Sequence, residues 1–280
     1  LYTRTTGIWQ TVWMEPVPAV YLDRPRITPD VEGSRFHLEL PLAGRRADDL
    51  RVRAVLSDDR GEVSRAEAGA SRDFTPVLDL PVPADRRRLW APGDPFLYTL
   101  RIELLDAAGG RLDAFDSYAG LRSLAIDGRR VRLNGRSVFQ RLVLDQGFYP
   151  DGLYTAPTDD ALKRDIELGL AAGFNGARLH QKVFEERYLY WADRLGYLVW
   201  GEFADWGSGG HGGASEEQRP TPTFITQWLE ALQRDYSHPA LVGWCGINET
   251  AEVRSDRIPV LDDVIRGMFL AAKAIDRTRP

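Results

Sequence analysis

After about residue 120, apolar runs alternate four times with stretches of helical periodicity, and this alternation constrains the fold more than any other feature. Short apolar runs bounded by turn residues predict buried strands. Strands that alternate with helices form a parallel sheet, because a parallel connection needs a crossover. The predicted strands are SVFQRLVLDQGF, FNGARLH, YLVWGEF and ALVGWCGI, and the predicted helices are TDDALKRDIELGLAAG, FEERYLYWADRLG, TPTFITQWLEALQRDYS and PVLDDVIRGMFLAAKAI.

Two architectures fit four such units. A doubly wound sheet that binds a nucleotide carries a glycine-rich turn after its first strand, and LVLDQGFYPDG is not such a turn. We therefore favour a (β/α)8 barrel, of which four units are present. In the first predicted helix, Thr158 is placed to cap the start and Gly173 to end it. Leu162, Ile166 and Leu170 share one face, which is predicted to pack on the sheet.

Residues 19 to 120 have a period of two instead. Apolar and polar residues alternate in RFHLELPL, DLRVRAVLSD and FLYTLRIELLD, as they do in half-buried antiparallel strands. DAAGG predicts a hairpin turn before RLDAFDSYAG. The pattern predicts an immunoglobulin-like β-sandwich, without the Cys…Trp…Cys spacing of antibody domains. The predicted fold class is thus multi-domain β plus α/β: a sandwich followed by a partial TIM (β/α)8 barrel.

Composition excludes several classes of partner. The formal net charge of −5 and the lack of a basic stripe argue against nucleic acid. Cys245 is the single cysteine, which excludes an internal disulfide and a cysteine-based metal cluster, and we expect it to be a small buried residue. No apolar stretch reaches membrane-spanning length, so no membrane partner is expected. This segment does not begin with a signal peptide, which favours a cytoplasmic location. Its first residues resemble the middle of a strand and not a natural N-terminus.

Polar residues follow all four predicted strands. In chain order these are Asp145 and Gln146, Arg178 and His180, Glu202 and Asp205, and Asn248 and Glu249. In parallel barrels the chemistry lies where the strands end, so these side chains are expected to share one face. The Asn-Glu pair raises a specific question, because a buried carboxylate without partners is costly. Either structure neutralises Glu249, through an ion pair with a residue such as Arg178, or the strand end opens into a site.

The chain resembles glycoside hydrolase family 2, the β-galactosidases, β-glucuronidases and β-mannosidases. The stretches GIWQTVWMEPVP, LWAPGDPFLYTLRIELLD with YAGLRS, LNGRSVFQRLVLDQG, and HPALVGWCGINE carry the resemblance, in the family's order. The resemblance implies three parts: residues 1–18 as the tail of a jelly-roll sugar-binding domain, 19–120 as the immunoglobulin-like sandwich, and 121–280 as the first half of the catalytic barrel. It implies retaining hydrolysis of terminal β-glycosidic bonds, with a carbohydrate as substrate and no cofactor.

The resemblance also implies roles for individual residues. Glu249 would be the general acid/base, with a pKa raised by a partly dry strand end, and Asn248 would bind the sugar's 2-hydroxyl. Arg178 would face the substrate or orient a carboxylate, or form a plain salt bridge. His180 is either a sugar contact or a satisfied loop histidine.

The remaining candidates are aromatic, acidic or histidine residues. Trp206, in a loop, is the better platform for a sugar face, whereas Trp200 and Trp244 at strand positions are expected to be core. Asp145 is a further candidate for substrate binding. His211 is not expected to be a ligand by itself, and His238 is expected to pack or cap.

The nucleophile is the missing part. The family's second glutamate lies on a later strand, beyond Pro280, and Glu202 is the alternative within this chain, although the family pattern makes it a positioning or sugar-binding group. We therefore expect an inactive fragment of a longer enzyme. Its open sheet edges predict association with a second copy.

The chain departs from its family in the segments that shape the sugar pocket. LDQG stands where β-galactosidases carry an Asn-Arg-His-Glu type sequence, and FADWGSGGHGG replaces the acidic segment after strand three. Neither galactose specificity nor a metal site is therefore carried over. The alternative function is a non-catalytic carbohydrate-binding or scaffolding protein derived from the same family.

Overall fold

The first half of the chain consists of antiparallel strands, as its two-residue periodicity predicts. The computed structural model describes residues 3, 5–45, 48–71, 74–205, 222–248 and 260–280. The strands of this half are β1 (Val20–Leu22), β2 (Arg26–Asp30), β3 (Arg35–Glu39), β4 (Leu42–Gly44), β5 (Arg51–Asp58), β6 (Gly61–Gly69), β7 (Val77–Pro81), β8 (Trp90–Ala91), β9 (Asp94–Pro95), β10 (Tyr98–Leu105) and β11 (Arg111–Ala119), with a 3-10 turn at Ala84–Arg86.

Two sheets enclose the core of this half. One sheet has the order β11-β10-β5-β6 and the other the order β2-β3-β7, while β1 pairs with β4. Alternate side chains point inward, so that Phe36 and Leu38 of β3 join Leu100 and Ile102 of β10 in one buried cluster. Two antiparallel sheets around a shared core are consistent with the expected immunoglobulin-like sandwich.

The predicted hairpin at DAAGG is confirmed. Strands β10 and β11 pair antiparallel on either side of it. The Asp106 Oδ1 atom accepts hydrogen bonds from the amides of Ala108 (2.9 Å) and Gly110 (2.7 Å). Gly109 adopts a φ of 82°, a left-handed conformation that glycine tolerates without strain. The turn therefore forms because an aspartate folds back on its own backbone and a glycine takes the positive φ.

A three-stranded antiparallel sheet that the sequence did not predict follows the sandwich. Its strands are β12 (Leu124–Asp127), β13 (Arg130–Leu133) and β14 (Arg136–Ser137). The expectation of one strand over SVFQRLVLDQGF is therefore wrong, since only β15 (Leu142–Asp145) belongs to the parallel sheet. The chain turns at Asn134 and Gly135, with φ values of 53° and 75°, and pairs β14 with β13 before it reaches β15.

The second half alternates strands and helices, and the predicted parallel sheet is confirmed. Its strands are β15, β16 (Gly176–Leu179), β17 (Leu198–Glu202) and β18 (Leu241–Cys245), paired parallel in that order. Its helices are α1 (Asp159–Ala171), α2 (Glu186–Leu195), α3 (Pro222–Asp235) and α4 (Val260–Ile275). Across the described ranges, no helix combines the length and the apolar character that a membrane crossing requires.

The limits of α1 follow the sequence signals, but its predicted face does not extend to the last turn. Thr158 Oγ1 accepts the amide of Ala161 at 3.1 Å, which satisfies one free donor of the first turn. Leu162 and Ile166 are buried, whereas Leu170 is 37% exposed, which corrects the prediction. The helix has 13 residues, about 20 Å, against about 13 Å for the four-residue strand β16, so its last turn extends past the sheet.

Buried polar contacts join the sandwich to the parallel sheet. The Arg122 guanidinium donates to the carbonyls of Pro239 (2.8 Å) and Leu241 (2.9 Å), just before and within β18. The Trp90 indole donates to the carbonyl of Asp193 in α2 at 2.7 Å. Since Trp90 and Arg122 are almost fully buried, these hydrogen bonds fix the sheet, and hence its strand ends, relative to the sandwich.

Candidate functional site

The strand ends of the parallel sheet gather polar side chains, as the sequence predicts. The pairing register places Asp145 beside Leu179, Arg178 beside Trp200, and Glu202 beside Cys245. Arg178, Glu202 and Asn248 are in direct contact with one another through the Arg178 side chain. Three different strands thus bring one charged cluster to a single edge of the sheet.

Arg178 lies at the centre of this cluster. Its Nε donates to Glu202 Oε2, and its Nη2 donates to Asn248 Oδ1 at 2.7 Å. The hydrogen bond to Glu202 raises the pKa of Arg178, so the guanidinium stays charged. Arg178 thus forms an ion pair with Glu202, and the same side chain orients the Asn248 amide. The partner considered in the sequence, Glu249, lies outside the described residues.

Glu202 is the most enclosed member. Its side chain has no exposed surface. While Oε2 binds Arg178, Oε1 accepts the amide of Gln181 at 2.8 Å and lies 3.1 Å from His180 Nδ1. The histidine contact does not have hydrogen-bond geometry, so it is an electrostatic contact when the ring is protonated. Both carboxylate oxygens are engaged, which suits a group that positions its neighbours.

Asn248 is held through its backbone as well as its side chain. Its amide donates to Asp205 Oδ2 at 2.8 Å, and both residues are buried. Asp205 is one of the polar residues at the predicted end of the third strand. It and Arg178 together define the position of the residue that directly precedes Glu249.

Asp145 and His180 lie at the neighbouring strand ends. The carbonyl of Asp145 accepts the amide of His180 at 2.6 Å. Its carboxylate accepts the amide of Gly147 at 2.9 Å and the Tyr188 hydroxyl at 3.2 Å, and burial raises its pKa. His180 is 7% exposed. In this structure Asp145 binds its own loop and helix α2, and does not contact the Arg178 cluster.

Cys245 contributes a contact that the sequence did not predict. Its Sγ lies 3.6 Å from Arg178 Nη2 and donates to the carbonyl of Ile247 at 3.3 Å. Burial, together with the charge of Glu202, raises the pKa of the thiol to about 11, so it stays protonated at neutral pH. Cys245 is half-buried beside the charged cluster, and not the buried small residue that we expected.

The two strand tryptophans, expected to be core, are only partly buried and pack against the edge of the buried cluster. Trp200 donates its indole N–H to Gln140 Oε1 at 2.7 Å, and Trp244 donates its own to Asp276 Oδ2 at 2.8 Å. Each ring lies over a glycine of the neighbouring strand, Trp200 opposite Gly243 and Trp244 opposite Gly201.

The structure describes only some of the remaining predicted residues. Glu249, Trp206 and His211 lie outside the described residues. His238 packs against Asp193, away from the strand ends, as its predicted packing role requires. Within the described ranges, no group of three or more His, Cys, Asp or Glu side chains is arranged to hold a metal ion.

Sequence reasoning missed two residues that follow His180 in the loop after β16. Gln181 has a φ of 58° and binds Glu202 through its amide, and Lys182 is 1% exposed. A usable signal was present, because lysine is rare in this chain and HQK continues a predicted strand end. Left-handed backbone at a residue with a side chain is uncommon and tends to occur where a site imposes it.

Comparisons with known proteins point to one family of enzymes. Residues 20–122 match the family model described as Glycosyl hydrolases family 2, which confirms the expected resemblance. A β-glucuronidase of Paenibacillus borealis is 24% identical over 98% of this chain and 45% of its own length. A β-galactosidase of Lactococcus lactis is 22% identical over 88% of this chain and 24% of its own length. The chain thus spans less than half of these curated relatives.

Solved structures show the same fold. A glycosyl hydrolase family 2 member from Bacteroides cellulosilyticus superposes with a TM-score of 0.80 at 24% identity, covering 94% of this chain and 35% of that one. A β-glucuronidase from Ruminococcus gnavus, solved with C6-substituted uronic isofagomine, has a TM-score of 0.75 at 21% identity, covering 94% and 43%.

Proposed function

We propose that this chain, as a member of glycoside hydrolase family 2, is part of a retaining exo-β-glycosidase. In this proposal residues 1–18 end a jelly-roll domain, 19–120 form the sandwich, and 121–280 form the first half of a (β/α)8 barrel. Four parallel strands with crossover helices support a barrel. The polar cluster lies at the ends of these strands, which is where the chemistry of such barrels lies.

One observation carries the proposal: the partly buried Arg178 side chain binds both the fully enclosed Glu202 carboxylate and Asn248, the residue directly before Glu249. Enclosing a carboxylate is costly unless a cation binds it, and the arginine that binds Glu202 also holds the Asn248 amide at the strand ends. An amide held by arginine is preorganised to bind a sugar hydroxyl. The hydrogen bond to the 2-hydroxyl strengthens as the oxocarbenium-like transition state develops.

The remaining roles follow from this arrangement. Glu249 is the general acid that protonates the leaving oxygen and the base that then activates water. Arg178 and Glu202 position Asn248, and Glu202 is not the nucleophile, since its carboxylate has no exposed surface and both oxygens are bound. Asp145, His180 and Trp206 surround the sugar. The nucleophile is supplied from outside residues 1–280, so the isolated chain is inactive.

The substrate class is a terminal β-linked hexopyranoside. Relatives of this chain are named β-glucuronidase and β-galactosidase, and one solved relative holds a uronic isofagomine. A glucuronide is therefore the first substrate to test, followed by galactosides, glucosides and mannosides.

The test traps the covalent intermediate. The full-length protein that contains this chain, and the 280-residue chain alone, are each incubated with 2-deoxy-2-fluoro-β-glycosides of these four sugars and weighed by intact-mass spectrometry. We expect a sugar-sized mass gain in the full-length protein and none in the chain. A gain in the chain alone would place the nucleophile within it and overturn the half-barrel proposal.

Two variants test the assignment of the acid. Glu249→Gln should slow aryl glycosides with good leaving groups much less than alkyl glycosides, which need protonation. Glu167→Gln, a partly exposed carboxylate of α1, is the matched control and should match the wild type. Equal loss on both substrate types would remove the acid role from Glu249. A full-length protein that cleaves none of the four glycosides would favour the non-catalytic alternative.

A further inference from the structure

Lys182 is a buried cation directly after the candidate site. The residue is 1% exposed, and lysine is almost never this buried unless it is paired. Its Nζ donates to the carbonyls of Gly147 (2.9 Å) and Tyr154 (2.8 Å). Both carbonyls belong to residues 146–158, the segment between β15 and α1, which we call the β15–α1 loop. The lysine therefore bridges two points of one loop.

Aromatic rings enclose the same ammonium group. Its nitrogen lies 4.8 Å from the ring centre of Trp9, 4.4 Å from that of Tyr154 and 4.9 Å from that of Phe184. These distances are those of cation–π contacts, which strengthen when the cation is removed from water. The three rings come from the segment before β1, from the β15–α1 loop and from the segment just before α2, so one ammonium group contacts three parts of the chain.

The N-terminal segment reinforces this arrangement. Thr155 donates its hydroxyl to the carbonyl of Trp9 at 2.7 Å, and the rings of Trp9 and Tyr154 pack edge to face at 4.5 Å. Gln10 donates its side-chain amide to the carbonyl of Val183 at 2.8 Å. The β15–α1 loop is thus held by hydrogen bonds from Lys182 and by contacts with the segment around Trp9.

The electrostatic cost of this site is partly compensated. Burial lowers the pKa of Lys182, and the charges of Glu185, Asp145 and Asp165 counteract it. The Glu185 carboxylate lies 3.9 Å from Nζ. An apolar side chain in this space would avoid the desolvation cost but could not donate to the two loop carbonyls.

A short connection links Lys182 to the charged cluster. His180, Gln181 and Lys182 are consecutive, and each binds a different partner: the Asp145 carbonyl, the Glu202 carboxylate and the β15–α1 loop. Gln181 holds a left-handed backbone conformation with a φ of 58°, which is unfavourable unless the surroundings impose it. Lys182 therefore directly follows the residue whose amide binds Glu202.

The β15–α1 loop carries aromatic surface at the strand ends. It starts at the end of β15, and the half-buried rings of Phe148 and Tyr154 pack against each other at 5.3 Å. Rings at this position suit the apolar face of a pyranose, since ligand pockets combine aromatic walls with few polar groups.

We propose that Lys182 is a positioning residue that fixes the β15–α1 loop as one wall of the sugar pocket, and so sets substrate affinity and not the rate of the chemical step. This inference rests on the proposed function. Lys182 does not touch the reacting atoms in this proposal. It acts through the loop, by keeping Tyr154 and Phe148 in place before the sugar arrives.

The experiment compares Lys182→Met, Lys182→Arg and the control Lys163→Met, which removes a half-exposed lysine on α1. In the full-length protein, on an aryl glycoside that the wild type cleaves, we expect Lys182→Met to raise KM about tenfold with kcat within about twofold. Lys182→Arg keeps the charge and should recover part of this loss. Lys163→Met should leave both constants unchanged.

Hydrogen exchange supplies a readout that needs no activity. In Lys182→Met the amides of residues 147–156 should exchange faster, while those of β16 and β17 keep their protection. An unchanged KM, a loss confined to kcat, or faster exchange throughout the sheet would each overturn the proposal. If the wild type cleaves no glycoside, the proposed function and the affinity claim fail together, and exchange in the loop alone then decides whether Lys182 fixes it.

Discussion

Tyr118 of the sandwich donates its hydroxyl to Asp193 Oδ2 of helix α2 at 2.8 Å, so a hydrogen bond to a buried carboxylate joins the two halves of the chain. The same oxygen lies 2.6 Å from His238 Nδ1, and Asp193 Oδ1 accepts the amide of Ala240 at 2.8 Å. The charge of Asp193 contributes to the raised pKa of Tyr118, after burial. This network connects the last sandwich strand to the turn before β18. Asn248 follows the other end of β18.

The network predicts that stability depends on the protonation of His238. Burial by itself lowers the pKa of His238, but the charge and the hydrogen bond of Asp193 outweigh it and raise the pKa above its ordinary value. Because the folded pKa is raised, this contribution is fully present below the unfolded pKa of about 6.5 and is lost as the pH rises through the folded value. His238→Gln should therefore cost most stability in mild acid.

Urea unfolding of both proteins at about pH 5.5 and about pH 8.5 measures this difference. We expect the gap in unfolding free energy between wild type and His238→Gln to narrow at the higher pH. A gap that widens with pH would mean that His238 is neutral in the folded protein.

The Arg178–Glu202 pair predicts a non-additive double mutant. Arg178→Met leaves the Glu202 carboxylate buried without its cation and should lower the unfolding free energy by about 3–5 kcal/mol. Adding Glu202→Gln to this variant removes the unpaired charge and should recover much of the loss. A thermodynamic cycle from urea unfolding measures the coupling, and additive losses would mean that the two side chains do not stabilise each other.

Asn248 is predicted to act through the sugar's 2-hydroxyl. In the full-length enzyme, removing that hydroxyl from the substrate should lower kcat/KM about 100-fold, in line with a contact that strengthens in the transition state. In Asn248→Ala the same change of substrate should cost much less. Comparing both substrates on both proteins isolates the contact, and an equal loss in each would assign the 2-hydroxyl to another residue.

The glycine opposite Trp200 is predicted to be intolerant of a methyl group. A Cβ at Gly243 would lie 2.6 Å from the Trp200 ring, which is closer than van der Waals contact. Gly243→Ala should therefore destabilise the chain by about 1–3 kcal/mol. Gly246→Ala is the matched control, since its nearest neighbour would be Trp228 at 3.6 Å. Thermal unfolding of both variants measures the difference, and equal melting temperatures would contradict the packing argument.

The outer strands of the parallel sheet predict self-association of the 280-residue chain. Among the described residues, β15 and β18 each pair on one side only, and Leu144 of β15 is 51% exposed. Unpaired edges with apolar side chains favour pairing between chains. We expect a dimer in sedimentation, weakened by Leu144→Lys, and a strictly monomeric wild type would refute this association.

Local sequence was sufficient to predict most elements of the fold. The positions of Thr158 and Asp106 predicted a helix start and a hairpin, because caps and tight turns depend on neighbouring residues alone. The strand-helix alternation likewise predicted the parallel sheet. The short strand β14 and the exposed Leu170 were not predicted, since both depend on where the chain turns and how long its partner strands are.

By itself, the sequence determined which residues end the strands, and so that Arg178, Glu202 and Asn248 would share one edge, because strand direction follows from the order of the elements. Only the tertiary structure decided that Arg178 binds both of the others, that Glu202 is fully enclosed and that Lys182 holds the β15–α1 loop. Hydrogen bonds between residues 24 to 70 positions apart depend on side-chain directions and burial after folding, and no local pattern in the chain encodes them.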